Sequence, residues 1–145
     1  MAKVSAHDPV NAYKEIQIKT ANQIRLIVML YDGAIRRLNL ALDLFAEGHR
    51  RYDAINGHLV AAQDILSELM ASLDFEKGGV LAKNLFSLYT FMNRRLLDGN
   101  LTKDPEPLAE VKKLLIALRE AWDEISTKKG LEAQATPATG VNIAG

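Results

Sequence analysis

Apolar residues recur at intervals of three and four along most of this chain, a spacing typical of helices that bury one face. No stretch of the sequence alternates apolar and polar residues as a half-buried strand does. The pattern predicts four helical segments, at residues 23–47, 53–75, 80–98 and 104–128. The sequence therefore predicts an all-α protein.

Capping residues and glycines mark the expected ends of these segments. Thr20 and Asn22 offer N-cap side chains ahead of the first segment, and Asp104 followed by Pro105 is a typical start for the fourth. Glycine favours helix ends because it adopts left-handed backbone conformations without strain. We expect helix stops at Gly48, Gly78-Gly79, Gly99 and Gly130.

Short connections between long helices favour antiparallel neighbours, so we expect an antiparallel four-helix bundle at residues 21–129. Residues 130–145 are rich in Ala, Thr, Gly and Pro, and we expect them to form a disordered tail. Residues 1–20 form an N-terminal lead segment ahead of the bundle. The lead contains a short apolar cluster at Tyr13, Ile16 and Ile18.

The first predicted helix differs from the others because apolar residues occupy two of its faces. One face carries Ile24, Ile27, Val28, Tyr31, Ile35, Leu38, Leu42 and Phe45. The opposite face, called the second row below, carries Leu26, Met29, Leu30, Leu40 and Leu44, interrupted by Gly33 and Arg37. A helix that is apolar all round is usually buried by its neighbours, whereas a large exposed apolar patch usually marks an interaction site. The second row is therefore either covered by the bundle or part of a partner groove.

Charge and composition narrow the class of function. The chain has 18 basic and 18 acidic residues and no cysteine. A nucleic-acid-binding protein usually shows a basic stripe, but the basic pairs of this chain are scattered, so we expect no nucleic-acid partner. The amino end lacks the apolar stretch of a signal peptide, and no apolar run approaches the ~20 residues of a membrane span. We expect a soluble, cytoplasmic protein without membrane insertion.

No constellation of side chains predicts catalysis, a metal, a cofactor or a small-molecule substrate. None of the three histidines belongs to the Glu-x-x-His pairs of metal-binding bundles. His58 is the one candidate for a histidine phosphotransfer bundle, but the lysine and glycine usual after such a histidine are absent. Asp64 and Glu68 stand four residues apart, which is more typical of a solvated helix face than of paired catalytic carboxylates. A phosphotransfer or other signalling bundle stays the alternative function.

Motifs in all four segments follow the order and spacing of one known family. They are Asn11-Ala12-Tyr13-Lys14, Thr20-Ala21, residues 26–35 (LIVMLYDGAI), 62–69 (AQDILSEL), 72–74 (SLD), 84–89 (NLFSLY) and 118–122 (LREAW). On these motifs the chain resembles the FliS flagellin export chaperones. That family usually has Ser-Pro where this chain has Asn22-Gln23. Asparagine still caps a helix, but the rigid first-turn proline is lost.

The resemblance implies a chaperone that holds the disordered C-terminal segment of flagellin in the cytosol and prevents premature polymerisation before type III secretion. It also implies that the lead segment packs on the bundle as a lid that flagellin displaces. The sequence leaves open whether the tail after Gly130 contacts a component of the flagellar export gate or is a spacer. The expected partner-binding residues are Tyr13, Ile16, Ile18, Leu26, Met29, Leu30, Gly33, Leu40 and Leu44.

Overall fold

A computed structural model describes the backbone of residues 8–48 and 50–144, and the side chains through residue 128. Within these ranges the chain forms four helices and no strand, which confirms the all-α class. The connections between the helices are short, as expected for a bundle of antiparallel neighbours. The helices are α1 (Pro9–Ala46), α2 (Tyr52–Ala71), α3 (Phe75–Thr102) and α4 (Glu106–Ala144).

Helix α1 begins much earlier than predicted, at Pro9. The Oδ1 atom of Asp8 accepts a hydrogen bond from the Val10 N–H at 3.0 Å, and the fixed φ of proline suits the first helical position. Thr20 is not a cap, because its hydroxyl donates to the Ile16 carbonyl at 2.9 Å within the helix. Asp8 therefore caps α1, and Pro9 is its first residue.

The described part of the lead, residues 9–20, is helical and belongs to α1. The lid that the resemblance implies stays a prediction.

The boundary between α2 and α3 also differs from the prediction. The Oδ1 atom of Asp74 accepts hydrogen bonds from the N–H groups of Glu76 and Lys77, each at 3.0 Å. This cap satisfies donors that a helix start leaves unpaired, so α3 begins at Phe75. The predicted stop at Gly78-Gly79 lies inside α3, where Gly79 (φ 51°, ψ −125°) forms a kink.

Gly99 was expected to end the third helix, but it lies buried within α3. A Cβ at this position would lie 2.6 Å from Leu108 Cδ1 and 3.0 Å from the Asp104 carbonyl oxygen. The missing side chain thus allows the start of α4 to pack closely against α3. Helix α3 ends at Thr102, and Lys103 adopts the left-handed conformation that usually favours glycine (φ 53°, ψ 49°).

Two predicted boundaries are confirmed. Gly48 follows α1 with a φ of 73°, and the Asp104 Oδ1 accepts a hydrogen bond from the Glu106 N–H at 3.0 Å. Helix α4 continues past the predicted stop at Gly130 to Ala144. The disorder expected of residues 130–145 stays a prediction, as does the division into lead, bundle and tail.

The chain divides into two compact units, one of residues 1–28 with 120–145 and the other of residues 29–119. In the first unit, the buried side chains within the described range are Ala21, Ile24, Val28 and Ser126. The second unit holds the larger core. Its largest fully buried side chains are Tyr31, Leu38, Ile55, Leu59, Leu66, Leu69, Tyr89, Met92, Leu96, Leu108, Val111 and Leu115.

Side-chain contacts show that consecutive helices in the second unit are antiparallel. Between α2 and α3, the Asn100 amide donates to Asn56 Oδ1 at 2.7 Å, and the Gln63 amide donates to the Asn93 carbonyl at 3.3 Å. Between α3 and α4, Arg95 pairs with Glu110 at 2.6 Å. The Lys103 ammonium, at the end of α3, lies 5.4 Å from the centre of the Tyr52 ring at the start of α2. It also donates to Asn100.

Candidate partner-binding site

The second row of α1, from residue 29 onward, lies beside α2. A Cβ on Gly33 would stand 3.3 Å from Ile65 Cδ1, so the glycine permits close approach of the two helices. Helix α2 covers this part of the row only partly. We call the surface between the helices the α1–α2 groove. The contacts that define it are Gly33 with Ile65 and Arg37 with His58. By helical spacing, Leu30, Leu40 and Leu44 continue the same row on α1, and Ala54 and Ala61 continue it on α2. All of these residues are half-buried.

One polar pair crosses the α1–α2 groove. The Arg37 guanidinium donates from Nη1 to His58 Nδ1 at 3.2 Å, and both side chains are half-buried. Burial lowers the pKa of His58 from its ordinary value of 6.5, and the charges of Arg37 and Arg36 lower it further. At neutral pH the imidazole is therefore uncharged and accepts the hydrogen bond from Arg37.

The remaining second-row residues are more exposed. Met29 is 60% exposed in the second unit, and Leu26 is 60% exposed in the first unit. Leu30, Gly33, Leu40 and Leu44 are only half-buried. The second row is therefore neither fully buried nor fully exposed. Its residues beside α2 are half-buried, and Leu26 and Met29 at its amino-terminal end are exposed.

The three apolar residues of the lead are all exposed, and Ile16 is the most exposed of them at 63%. They do not form the cluster predicted from the sequence. Ile16 and Ile18 stand two residues apart on a helix, which places their side chains on nearly opposite sides of α1. The Tyr13 hydroxyl accepts a hydrogen bond from the Gln17 amide at 2.7 Å.

Helix α3 carries exposed apolar residues that the sequence interpretation missed. Several of them lie outside the row of apolar residues spaced by three and four that forms the core face. An apolar residue off that face is expected to be exposed, so the sequence could have indicated them. These exposed residues are Val80, Leu81, Phe86, Phe91, Leu97 and Leu101. A second, more polar groove of about 550 Å³ lies between α2 and α3, and its lining includes Gln63, Ser67, Thr90, Asn93 and Arg94.

The described residues offer little for other chemistry. Among them, no group of three or more His, Asp or Glu side chains could hold a metal ion. Asp64 and Glu68 are exposed on α2, as a solvated helix face requires. Within the described part of the chain, no helix has the length and apolar character needed to cross a membrane.

Comparison with known proteins identifies the family of this chain. A family model described as "Flagellar protein FliS" matches residues 6–129, which include all of α1, α2 and α3 and the first part of α4. The chain belongs to the FliS family. The resemblance noted from the sequence motifs is therefore confirmed.

Curated relatives are similar to this chain over most of their lengths. The flagellar secretion chaperone FliS of Salmonella typhimurium is 38% identical over 133 residues, which are 85% of this chain and 93% of the relative. The flagellar secretion chaperone FliSB of Pseudomonas aeruginosa is 38% identical over 113 residues, 77% of this chain and 87% of the relative. The flagellar secretion chaperone FliS of Vibrio cholerae is 32% identical over 120 residues, which are 80% of this chain and 87% of the relative. The chain thus belongs with export chaperones of the flagellum and not with enzymes.

Proposed function

We propose that this FliS-family protein binds the disordered C-terminal segment of flagellin in the cytoplasm and keeps it unpolymerised and competent for type III secretion. The observation that carries the proposal is the α1–α2 groove, whose leucines on α1 are only partly covered by α2. An amphipathic segment laid into an apolar groove is a common mode of peptide recognition. Family membership supports a flagellar client.

The energetics favour a long client. Full burial of one large apolar side chain contributes about 1.5–3 kcal/mol. Ordering a disordered segment costs about 2–5 kcal/mol or more of the gross interaction energy. Several anchoring side chains are therefore needed, and this requirement favours a segment of several helical turns over a short motif. The same offset keeps the complex weak enough for release at export.

Other exposed residues extend the proposal. Tyr13, Ile16, Ile18 and Leu26 are exposed in the first unit, and Met29 is exposed in the second unit. We include these residues as contacts for a client long enough to reach beyond the groove. A component of the flagellar export gate is included as a second partner, because a secretion chaperone must deliver its client there.

Titration calorimetry with a peptide copying the last ~40–50 residues of the cognate flagellin tests the proposal, since coupled folding typically buries ~1,000–3,000 Å². We expect one-to-one binding with a large negative heat-capacity change. A scrambled peptide of the same composition is the control. Equal binding of the scrambled peptide, or no binding of the native one, would rule the proposal out.

A matched pair of surface variants locates the contact. Met29→Ser removes an exposed apolar side chain of the second row, so it should weaken binding without changing the melting temperature. Leu101→Ser removes a similarly exposed side chain from α3, outside the second row, and should bind the peptide as the parent chain does. Equal weakening by both variants would point away from the second row.

A further inference from the structure

The α1–α2 groove contains the guanidinium of Arg37 beside the neutral imidazole of His58, and a purely apolar ligand would leave the guanidinium charge uncompensated. We infer that Arg37 and His58 together bind a carboxylate, and that the client segment carries an aspartate or glutamate side chain at this point among its apolar residues. The inference rests on the proposed function and adds to it the charge that the client must present.

The geometry leaves hydrogen-bond donors free on both side chains. Arg37 uses one N–H for the bond to His58 Nδ1 at 3.2 Å, and a guanidinium has five N–H donors in a planar fork. Because Nδ1 of the neutral imidazole accepts this bond, Nε2 must carry the proton and is also a donor. A carboxylate beside the pair can therefore accept from both residues, and Arg is well suited to paired hydrogen bonds with a carboxylate.

Within the described residues, Arg37 has no carboxylate of its own. The ion pairs found there join Arg95 to Asp98 and Glu110, and Arg119 to Asp32. Residues three and four positions from Arg37 along α1 and from His58 along α2 are all apolar or glycine, so neither helix supplies an acid to its neighbour. The pKa of His58 is lowered mainly by burial and further by the positive charges of Arg37 and Arg36.

The surroundings of the pair select the type of ligand. Leu30 and Gly33 lie on one side of Arg37 along the groove, and Leu40 and Leu44 lie on the other. A free anion would gain nothing from the leucines, whereas a wholly apolar segment would desolvate the guanidinium without compensation. A segment with apolar side chains on both sides of one acidic residue can contact the leucines and also pair with Arg37. Charge complementarity therefore favours a client with that pattern.

A double-mutant cycle tests the inference. In the flagellin peptide, each Asp and Glu is changed singly to Asn or Gln, and the affinity of each peptide is measured for the parent chaperone and for Arg37→Gln. We expect one position where loss of the acid weakens binding roughly tenfold or more, in line with hydrogen bonds to charged groups. In Arg37→Gln the same peptide change should have little further effect.

Arg36→Gln is the matched control. It removes the same charge one residue away, from an exposed side chain outside the groove, so it should change affinity little and show no coupling to any client acid. Charge reversal adds a check that does not depend on the stability of a single variant. Arg37→Glu should bind a peptide with lysine at the coupled position better than it binds the native peptide.

The outcomes separate this inference from the proposed function. Native-peptide binding without coupling between Arg37 and any acid would overturn the carboxylate site and leave the proposed function standing. Equal coupling in Arg36→Gln would also overturn it, since that result indicates long-range attraction only. Absence of native-peptide binding would overturn both.

Discussion

Two polar contacts between helices of the second unit show how burial decides what a side-chain pair can do. The hydroxyls of Tyr31 and Tyr89 are hydrogen-bonded inside the core, where both residues are fully buried. Burial raises the pKa of Tyr89, although the bond to Tyr31 partly opposes this shift. The Arg37–His58 contact lies at the surface of a groove and remains accessible. The tyrosine pair therefore stabilises the core, and the Arg–His pair can meet a ligand.

His58 should make stability depend on pH. Its pKa in the folded protein lies below the ordinary value of 6.5, so below about pH 6.5 the unfolded chain binds more protons than the folded chain. Stability that is present above this pH is then lost as the pH falls toward the folded pKa. Urea titrations across this range should show the loss, and His58→Gln should make the dependence shallower.

The comparison of the parent chain with His58→Gln isolates this histidine, because His7 and His49 are present in both proteins. The difference should be small, since the ring is half-exposed and solvent screens its charge interactions. A variant that loses more stability than the parent chain on acidification would contradict the assignment.

At the scale of helices, glycine plays opposite roles at two positions. At Gly99 in α3, an added Cβ would stand 2.6 Å from Leu108 Cδ1, whereas at Gly57 in α2 it would meet nothing within 4 Å. Alanine favours a helix over glycine by about 0.5–1 kcal/mol. Only the surroundings decide whether that gain is realised.

We therefore expect Gly99→Ala to destabilise the protein by about 1–3 kcal/mol through overpacking. Gly57→Ala should stabilise it by up to about 1 kcal/mol. Chemical denaturation of both variants measures the two changes in the free energy of unfolding. Stabilisation by both substitutions would show that the start of α4 can move away from α3 without cost.

Local signals predicted some helix ends and missed others for identifiable reasons. Gly48 and Asp104 were predicted correctly because each acts through its own backbone or side-chain geometry. Gly99 was misinterpreted because its role depends on Leu108, a contact between helices that spacing alone does not contain. Asp8 followed by Pro9 carries the same start signal as Asp104 followed by Pro105, and it was available in the sequence.

At the scale of the whole molecule, the pattern of apolar residues predicted the all-α class but only part of the candidate site. The second row of α1 was visible from helical spacing, including its interruption by Arg37. The position of His58 opposite Arg37 required the antiparallel register of α1 and α2, which one sequence does not specify. The division into two compact units was likewise not predicted.

The close tie between α2 and α3 has a consequence for the order of folding. Only residues 72–74 separate these helices, and the contact of Lys103 with Tyr52 joins their far ends. The entropy lost in closing a loop increases slowly with its length, so this hairpin forms at lower cost than the pairing of Asp32 with Arg119, which lie 87 residues apart. We expect α2 and α3 to assemble first during refolding. Pulsed hydrogen exchange should find their amides protected before those of residues 29–46, and simultaneous protection would indicate that the bundle forms in a single step.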